Sequence, residues 1–167
     1  SQAQASRVLP GLVELGVVER REVPPSSLFR LVPGHVAARF ILDLAASADR
    51  VLDEIGRTAR ELPVPPVSVV VFGSFARREA VGDSDIDLVV VRPDGIDEDD
   101  EAWSSSIEQW RSSVRRLTGN PVEVLEVSTD DAAARLAGRS QLWTEIRRDG
   151  RVVHGVSLER LLEASHA

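Results

Sequence analysis

The chain has 167 residues, with 20 basic and 27 acidic side chains for a net charge of −7; 43% of it is hydrophobic and 28% charged. That length supports one main core with a small appendage, and the balance excludes disordered, collagen-like and membrane-spanning classes and a uniformly basic nucleic-acid face. Cys is absent, which removes disulfides, thiolate metal sites and cysteine nucleophiles and leans the reading toward a cytoplasmic protein with no visible signal peptide.

The apolar residues Val8, Leu9, Leu12 and Leu15 predict a helix over Ser6 to Leu15, weakened by Pro10 and Gly11 and stopped at Gly16. Val17 to Glu22 reads as a strand, Pro24-Pro25-Ser26-Ser27 as a turn and Leu28 to Val32 as a returning strand. Residues 34–66 read as a helical linker. Phe40, Leu44, Val51, Ile55 and Leu62 form its stripe, a break falls near Ala46-Ser47, and Pro63, Pro65 and Pro66 close it. Residues 67–167 read as the main domain. Val67 to Phe72 and Ile86 to Val91 are buried strands, Asp94 to Glu101 is an acidic loop, and Trp103, Ile107, Trp110, Val114 and Leu117 mark the core face of a helix closing near Gly119. Val122 to Val127 is a third strand. Helices follow from Asp131 to Ala137, capped by Thr129, and around Leu142 and Ile146, then a strand at Arg151 to His154 and a terminal helix from Leu158. This succession predicts an α/β (α+β) fold with a mixed sheet.

The chemistry-bearing stretch runs from Val69 to Val91. A buried strand enters Gly73-Ser74, ten residues intervene, and Asp85-Ile86-Asp87 opens the next buried strand. Alternation along a strand sends Asp85 and Asp87 to one side and Ile86 and Leu88 to the other. Two carboxylates so placed repel unless a cation sits between them, and oxygen ligands without Cys or clustered His suit Mg²⁺ or Mn²⁺. Gly73 allows close backbone approach to a phosphate, Ser74 offers a hydroxyl and an N–H, and Arg77 follows about one turn later. Ser84 stands directly before the carboxylates, either to bond a metal-held water or to cap the turn.

Gly-Ser, ten residues and Asp-x-Asp between apolar strands resemble the nucleotidyltransferase superfamily that includes DNA polymerase β and the aminoglycoside nucleotidyltransferases. The resemblance spans roughly Val67 to Gly155 and is closest to the minimal nucleotidyltransferases, some of which pair with a helical toxin of the HEPN class. It implies metal-dependent transfer of a nucleoside monophosphate, AMP from ATP being the preferred case, to a hydroxyl. It also implies a third carboxylate on a neighbouring strand, serving as metal ligand or base. Glu123 is the preferred candidate and Glu126, on the opposite face of the same strand, the alternative. The resemblance thus gives Asp85, Asp87 and Glu123 as catalytic and metal-binding residues, and Gly73, Ser74, Arg77 and Ser84 as nucleotide-binding. Arg78 stands where relatives often have Gly, and is a spare phosphate contact or a solvated side chain.

Residues 1–33 resemble the recognition helix and wing of a winged helix-turn-helix through Leu12-Val13-Glu14-Leu15-Gly16-Val17-Val18, with Arg7, Arg20, Arg21 and Arg30 as its DNA-facing cations. Two preceding helices are missing from that resemblance. Met is absent, so Ser1 is expected to be a processed or fragment end, and the Val8, Leu12 and Leu15 stripe to lie exposed unless a second copy covers it. His35, His154 and His166 show no metal spacing and read as surface or capping residues. Tyr is absent and the three Trp read as core, so no aromatic pocket for a small acceptor is expected; the acceptor is expected on a partner protein. The alternative is a DNA-binding regulator whose second domain senses nucleotides or is inactive.

Overall fold

The computed structural model describes residues 2–79 and 84–164, and its contacts gather into two compact units, Ser1–Ala48 and Asp49–Ala167. Ser1 and His166 lie outside the described residues. In the first unit α1 (Gln2–Glu14) leads into β1 (Val18–Val23), β2 (Ser26–Leu31) and α2 (Ala38–Ala45). α1 starts at Gln2 rather than Ser6, because Gln and Ala favour a helix without contributing an apolar stripe. It ends before Gly16, as its spacing predicts. β1 and β2 pair antiparallel around Pro24-Pro25, with Val18 opposite Leu31 and Val23 opposite Ser26. Val8, Leu15, Phe40 and Leu44 are exposed, at 58%, 69%, 68% and 74%.

The helical linker is two helices, divided at the break that Ala46-Ser47 predicts. α3 (Ser47–Arg60) follows α2 at the predicted break, where the Ala46 N–H returns to the Leu42 carbonyl at 2.9 Å and the Ser47 hydroxyl donates to the Leu44 carbonyl at 2.7 Å. A side-chain donor that satisfies a terminal carbonyl relieves the helix of the need to continue. The sequence reading divided the chain at 33/34 and 66/67, whereas the contacts divide it at 48/49. The reason is α3, which buries Leu52, Ile55 and Ala59 in the second unit's core, while Phe40 and Leu44 of the same supposed stripe do not follow.

The second unit continues with β3 (Ser68–Phe72), α4 (Gly73–Ala76), β4 (Ile86–Arg92), α5 (Glu101–Thr118), β5 (Val122–Ser128), α6 (Thr129–Ala137), α7 (Gln141–Asp149), β6 (Arg151–Gly155) and α8 (Leu158–Ala164). Its sheet runs β5-β4-β3-β6. β4 and β5 are parallel, while β3 is antiparallel to β4 and to β6, so the unit is mixed α/β. Alternation sends Val69, Val71, Ile86, Leu88 and Val90 to one face, against α3 and the Trp103, Ile107, Trp110 and Val114 stripe of α5. Val70, Val89 and Val91 face the other way, against Leu136, Trp143, Ile146 and Leu161 from α6, α7 and α8. Each such buried side chain contributes roughly 1.5–3 kcal/mol relative to exposure. All three Trp are buried, as core residues should be.

Helix starts are fixed by side chains. Asp100 at the end of the acidic loop accepts the Trp103 N–H at 2.8 Å, and Ser128, not Thr129, caps α6 by accepting from the Asp131 N–H at 3.1 Å. Among the described residues no helix is long and apolar enough to cross a membrane.

Candidate active site

β3 ends at Phe72, and Gly73 turns the chain into α4 with φ +70°, a conformation that L side chains rarely adopt. The adjacent strand makes the same demand from another direction. A Cβ at Gly73 would collide with the Asp87 carboxylate, so the glycine brings the Gly-Ser turn directly against that acid.

Sheet register assembles the rest. Phe72 pairs with Asp87 across the antiparallel β3–β4 ladder, and Asp87 pairs with Glu123 across the parallel β4–β5 ladder. Paired residues project to the same face, so Asp87 and Glu123 share the α6–α8 side of the sheet, and the charge of Asp85, just before β4, acts on Asp87. Asp85 and Glu123 are exposed and Asp87 half-buried. Glu126 pairs with Val90 instead and belongs to the α5 face. There it accepts Arg92 Nη1 at 2.5 Å and Trp103 Nε1 at 2.9 Å, which binds it into the packing and away from the other acids.

The electrostatics agree with crowding. Burial first, then the charges of Asp85 and Glu123, push the Asp87 carboxyl above its ordinary range, and Arg77 opposes them. Arg77 donates to Glu79 at 2.9 Å and is held firmly charged by that bond, with Asp149 and Glu145 of α7 adding to it. Ser74 is the second residue of α4, and its carbonyl accepts the Glu79 N–H at 2.9 Å. Ser84 is half-buried, and its carbonyl accepts a hydrogen bond from the Asn120 side chain at 2.8 Å. Arg78, at a left-handed φ of 58°, reaches both carboxylate oxygens of Asp49, at 2.8 and 2.7 Å. Asp49 also accepts Arg151 at 3.1 Å, so Arg78 is tied to α3 in an ion cluster.

Among the described residues no group of three His, Asp or Glu side chains forms a ready-made metal cage. The donor chemistry nevertheless fits a hard cation. Mg²⁺ is commonly held by one or two carboxylates while water and substrate phosphates complete its shell, and a carboxyl that its neighbours discourage from ionising, as here at Asp87, is relieved by a cation.

The cations of the first unit lie on its surface. Arg20 donates to Glu22 at 2.8 Å and Ser27 at 3.2 Å, and Arg30 to Glu19 at 2.5 Å; Arg7 and Arg21 are exposed. His35 does act locally, its Nδ1 accepting the Ala37 N–H at 3.1 Å. His154 differs from the surface reading. Among the described residues its Nδ1 is buried without a hydrogen-bond partner, and burial, then the Arg60 charge, lower its pKa against a hydrogen bond with the Pro66 backbone. Sequence reasoning also missed Asn120 and the Arg92–Glu126–Trp103 network; a charged residue interrupting each of two apolar strands was the available signal for the latter.

The larger cavity, of about 410 Å³, lies between α3 and α5, lined by Thr58, Leu62, Trp110 and Ser113 among others, on the face opposite the carboxylates. Beside Glu123 is a polar hollow of about 130 Å³ flanked by Glu108, Arg111, Ser112 and Arg115.

No curated protein matches the chain. Solved structures similar to it include a toxin–antitoxin with AMP-PNP, at 14% identity over 68% of this chain and 83% of that one, with a TM-score of 0.46. A mutant of the toxin–antitoxin MntA-HpeT is similar at 14% identity over 69% and 83%, TM-score 0.46. A structure assigned to a minimal nucleotidyltransferase is similar at 23% identity over 65% and 91%, TM-score 0.38. Residues 52–133, which run from α3 through both carboxylate-bearing strands into α6, match the family model of the nucleotidyltransferase domain.

Proposed function

We propose that the second unit catalyses metal-dependent transfer of AMP from ATP to a hydroxyl on a partner protein. The observation that carries this is the register Phe72–Asp87–Glu123, which sets the Gly73-Ser74 turn beside two of the acids on one sheet face, with the charge of Asp85 acting on Asp87. Asp85 and Asp87 would hold Mg²⁺ or Mn²⁺. The bound ion would neutralise phosphate charge as the α-phosphorus is attacked. Gly73, Ser74 and Ser84 line the approach of the triphosphate, and Arg77 offers a fixed positive charge to the departing pyrophosphate. Glu123 is exposed on the acceptor's side and takes the proton of the attacking hydroxyl. One P–O bond forms, the bond to pyrophosphate breaks, and the proton passes to the carboxylate.

A protein acceptor is favoured because, among the described residues, the cavities edged by Trp110 and by Trp103 both lie beside α5, on the face opposite the carboxylates. A Tyr, Ser or Thr brings its own surface, as a helical toxin of the HEPN class would. With Mg²⁺ and ATP labelled on the α-phosphate, label is expected on a Tyr-containing copolymer serving as acceptor, with pyrophosphate released. Asp87→Asn is expected to lower the rate at least about 100-fold. Full activity in that variant, or saturable micromolar transfer to a free nucleoside or aminoglycoside, overturns the proposal. A shift of labelled duplex DNA without transfer would favour a regulator instead.

A further inference from the structure

Asp85 precedes the first residue of β4 and is exposed. Something other than the ladder must fix its direction. The flanking backbone supplies this. The Ser84 carbonyl accepts Asn120 Nδ2 at 2.8 Å, and the Ile86 N–H donates to the Pro121 carbonyl at 2.9 Å. Asp85 is thus bracketed by two bonds to consecutive residues of the segment that leads into β5.

The bracket is itself set by the end of α5. Gly119 adopts φ +79° and returns its N–H to the Arg115 carbonyl at 2.8 Å, a left-handed helix end that reverses the chain. The Asn120 N–H then bonds Thr118 Oγ1 at 3.2 Å, which orients the residue toward Ser84. We propose that Asn120 is a positioning residue for Asp85, holding the backbone beside it in the orientation that a divalent ion requires. This rests on the reading of Asp85 and Asp87 as metal ligands.

The test is Mn²⁺ titration of the full chain, with free Mn²⁺ read by electron paramagnetic resonance and folding by thermal melting. Asn120→Asp is isosteric but cannot donate to the Ser84 carbonyl. It is expected to weaken Mn²⁺ binding about tenfold, the scale on which residues that orient metal ligands act, while the chain melts cooperatively. Charge alone predicts the reverse, because an added carboxylate should tighten a cation site. Asn120→Ala, which removes the donor without adding charge, is expected to weaken binding similarly and covers the case in which the Asp variant folds poorly. Unchanged or tighter Mn²⁺ binding in both folded variants, with binding lost in Asp87→Asn, overturns the role of Asn120 and leaves the proposed function standing. No Mn²⁺ binding by the unmodified chain overturns both.

Discussion

At Asp87 burial acts first and the charges of Asp85 and Glu123 second, and both raise the carboxyl above its ordinary value of 3.8. An acid raised in this way binds its proton more tightly folded than unfolded. Its contribution to stability is therefore full at acid pH and is lost as pH rises from the ordinary carboxylate value through the folded one. Asp87→Asn removes that loss. Without metal, the variant should melt above the unmodified chain at neutral pH, and the gap should close as pH falls toward 3.8. Added Mg²⁺ should reverse the order, since an ion that binds only the folded state stabilises it by about 2.7 kcal/mol at a hundred times its Kd. Melting curves across pH, with and without Mg²⁺, read both effects; a variant that melts lower without metal at neutral pH would contradict the crowding argument.

β5 carries two acids with opposite fates because its side chains alternate. Glu123 faces Asp87, while Glu126 faces α5 and satisfies Arg92 and the Trp103 indole. Removing Glu126 leaves a mostly buried guanidinium and an indole N–H without their acceptor, a loss of about 1–3 kcal/mol. Glu126→Ala should therefore lower the melting temperature yet change transfer per folded molecule only a few fold. Glu123→Ala should do the opposite, with stability within about 0.5 kcal/mol and transfer reduced roughly 100-fold. Denaturant unfolding beside initial rates separates the two, and exchanged phenotypes would assign the third acid to Glu126. The packing explains why the sequence left this open: two acids in one strand differ only in which helix lies over each face.

Both apolar clusters of the sheet lie within residues 49–167, including the part contributed by α3. A chain of residues 49–167 should accordingly unfold in one cooperative transition and bind Mn²⁺ within about threefold of the full chain, a length ample for a single core. Circular dichroism and the same Mn²⁺ titration check this. A fragment beginning at residue 67, the boundary read from the prolines, should fail to fold, because it lacks Leu52, Ile55 and Ala59.

Local chemistry was enough to place the strands and helices of the main domain, the helix break near Ala46-Ser47, and the turn and Asp-x-Asp strand, because periodicity and turn residues act over a few positions. Gly73 and Asp87 were legible as a pair for that reason. What required the tertiary structure were the facts that depend on register and on neighbours. That Asp87 stands beside Glu123 follows from β4 and β5 being parallel and aligned; a one-residue slip would have presented the other face. That α3 belongs with the sheet and α2 does not was undecidable from a shared apolar stripe, since spacing reports that a face is apolar and not what it meets. Asn120 left no periodic signal at all: its bond to Ser84 spans 36 positions, and only the folded chain brings those two together.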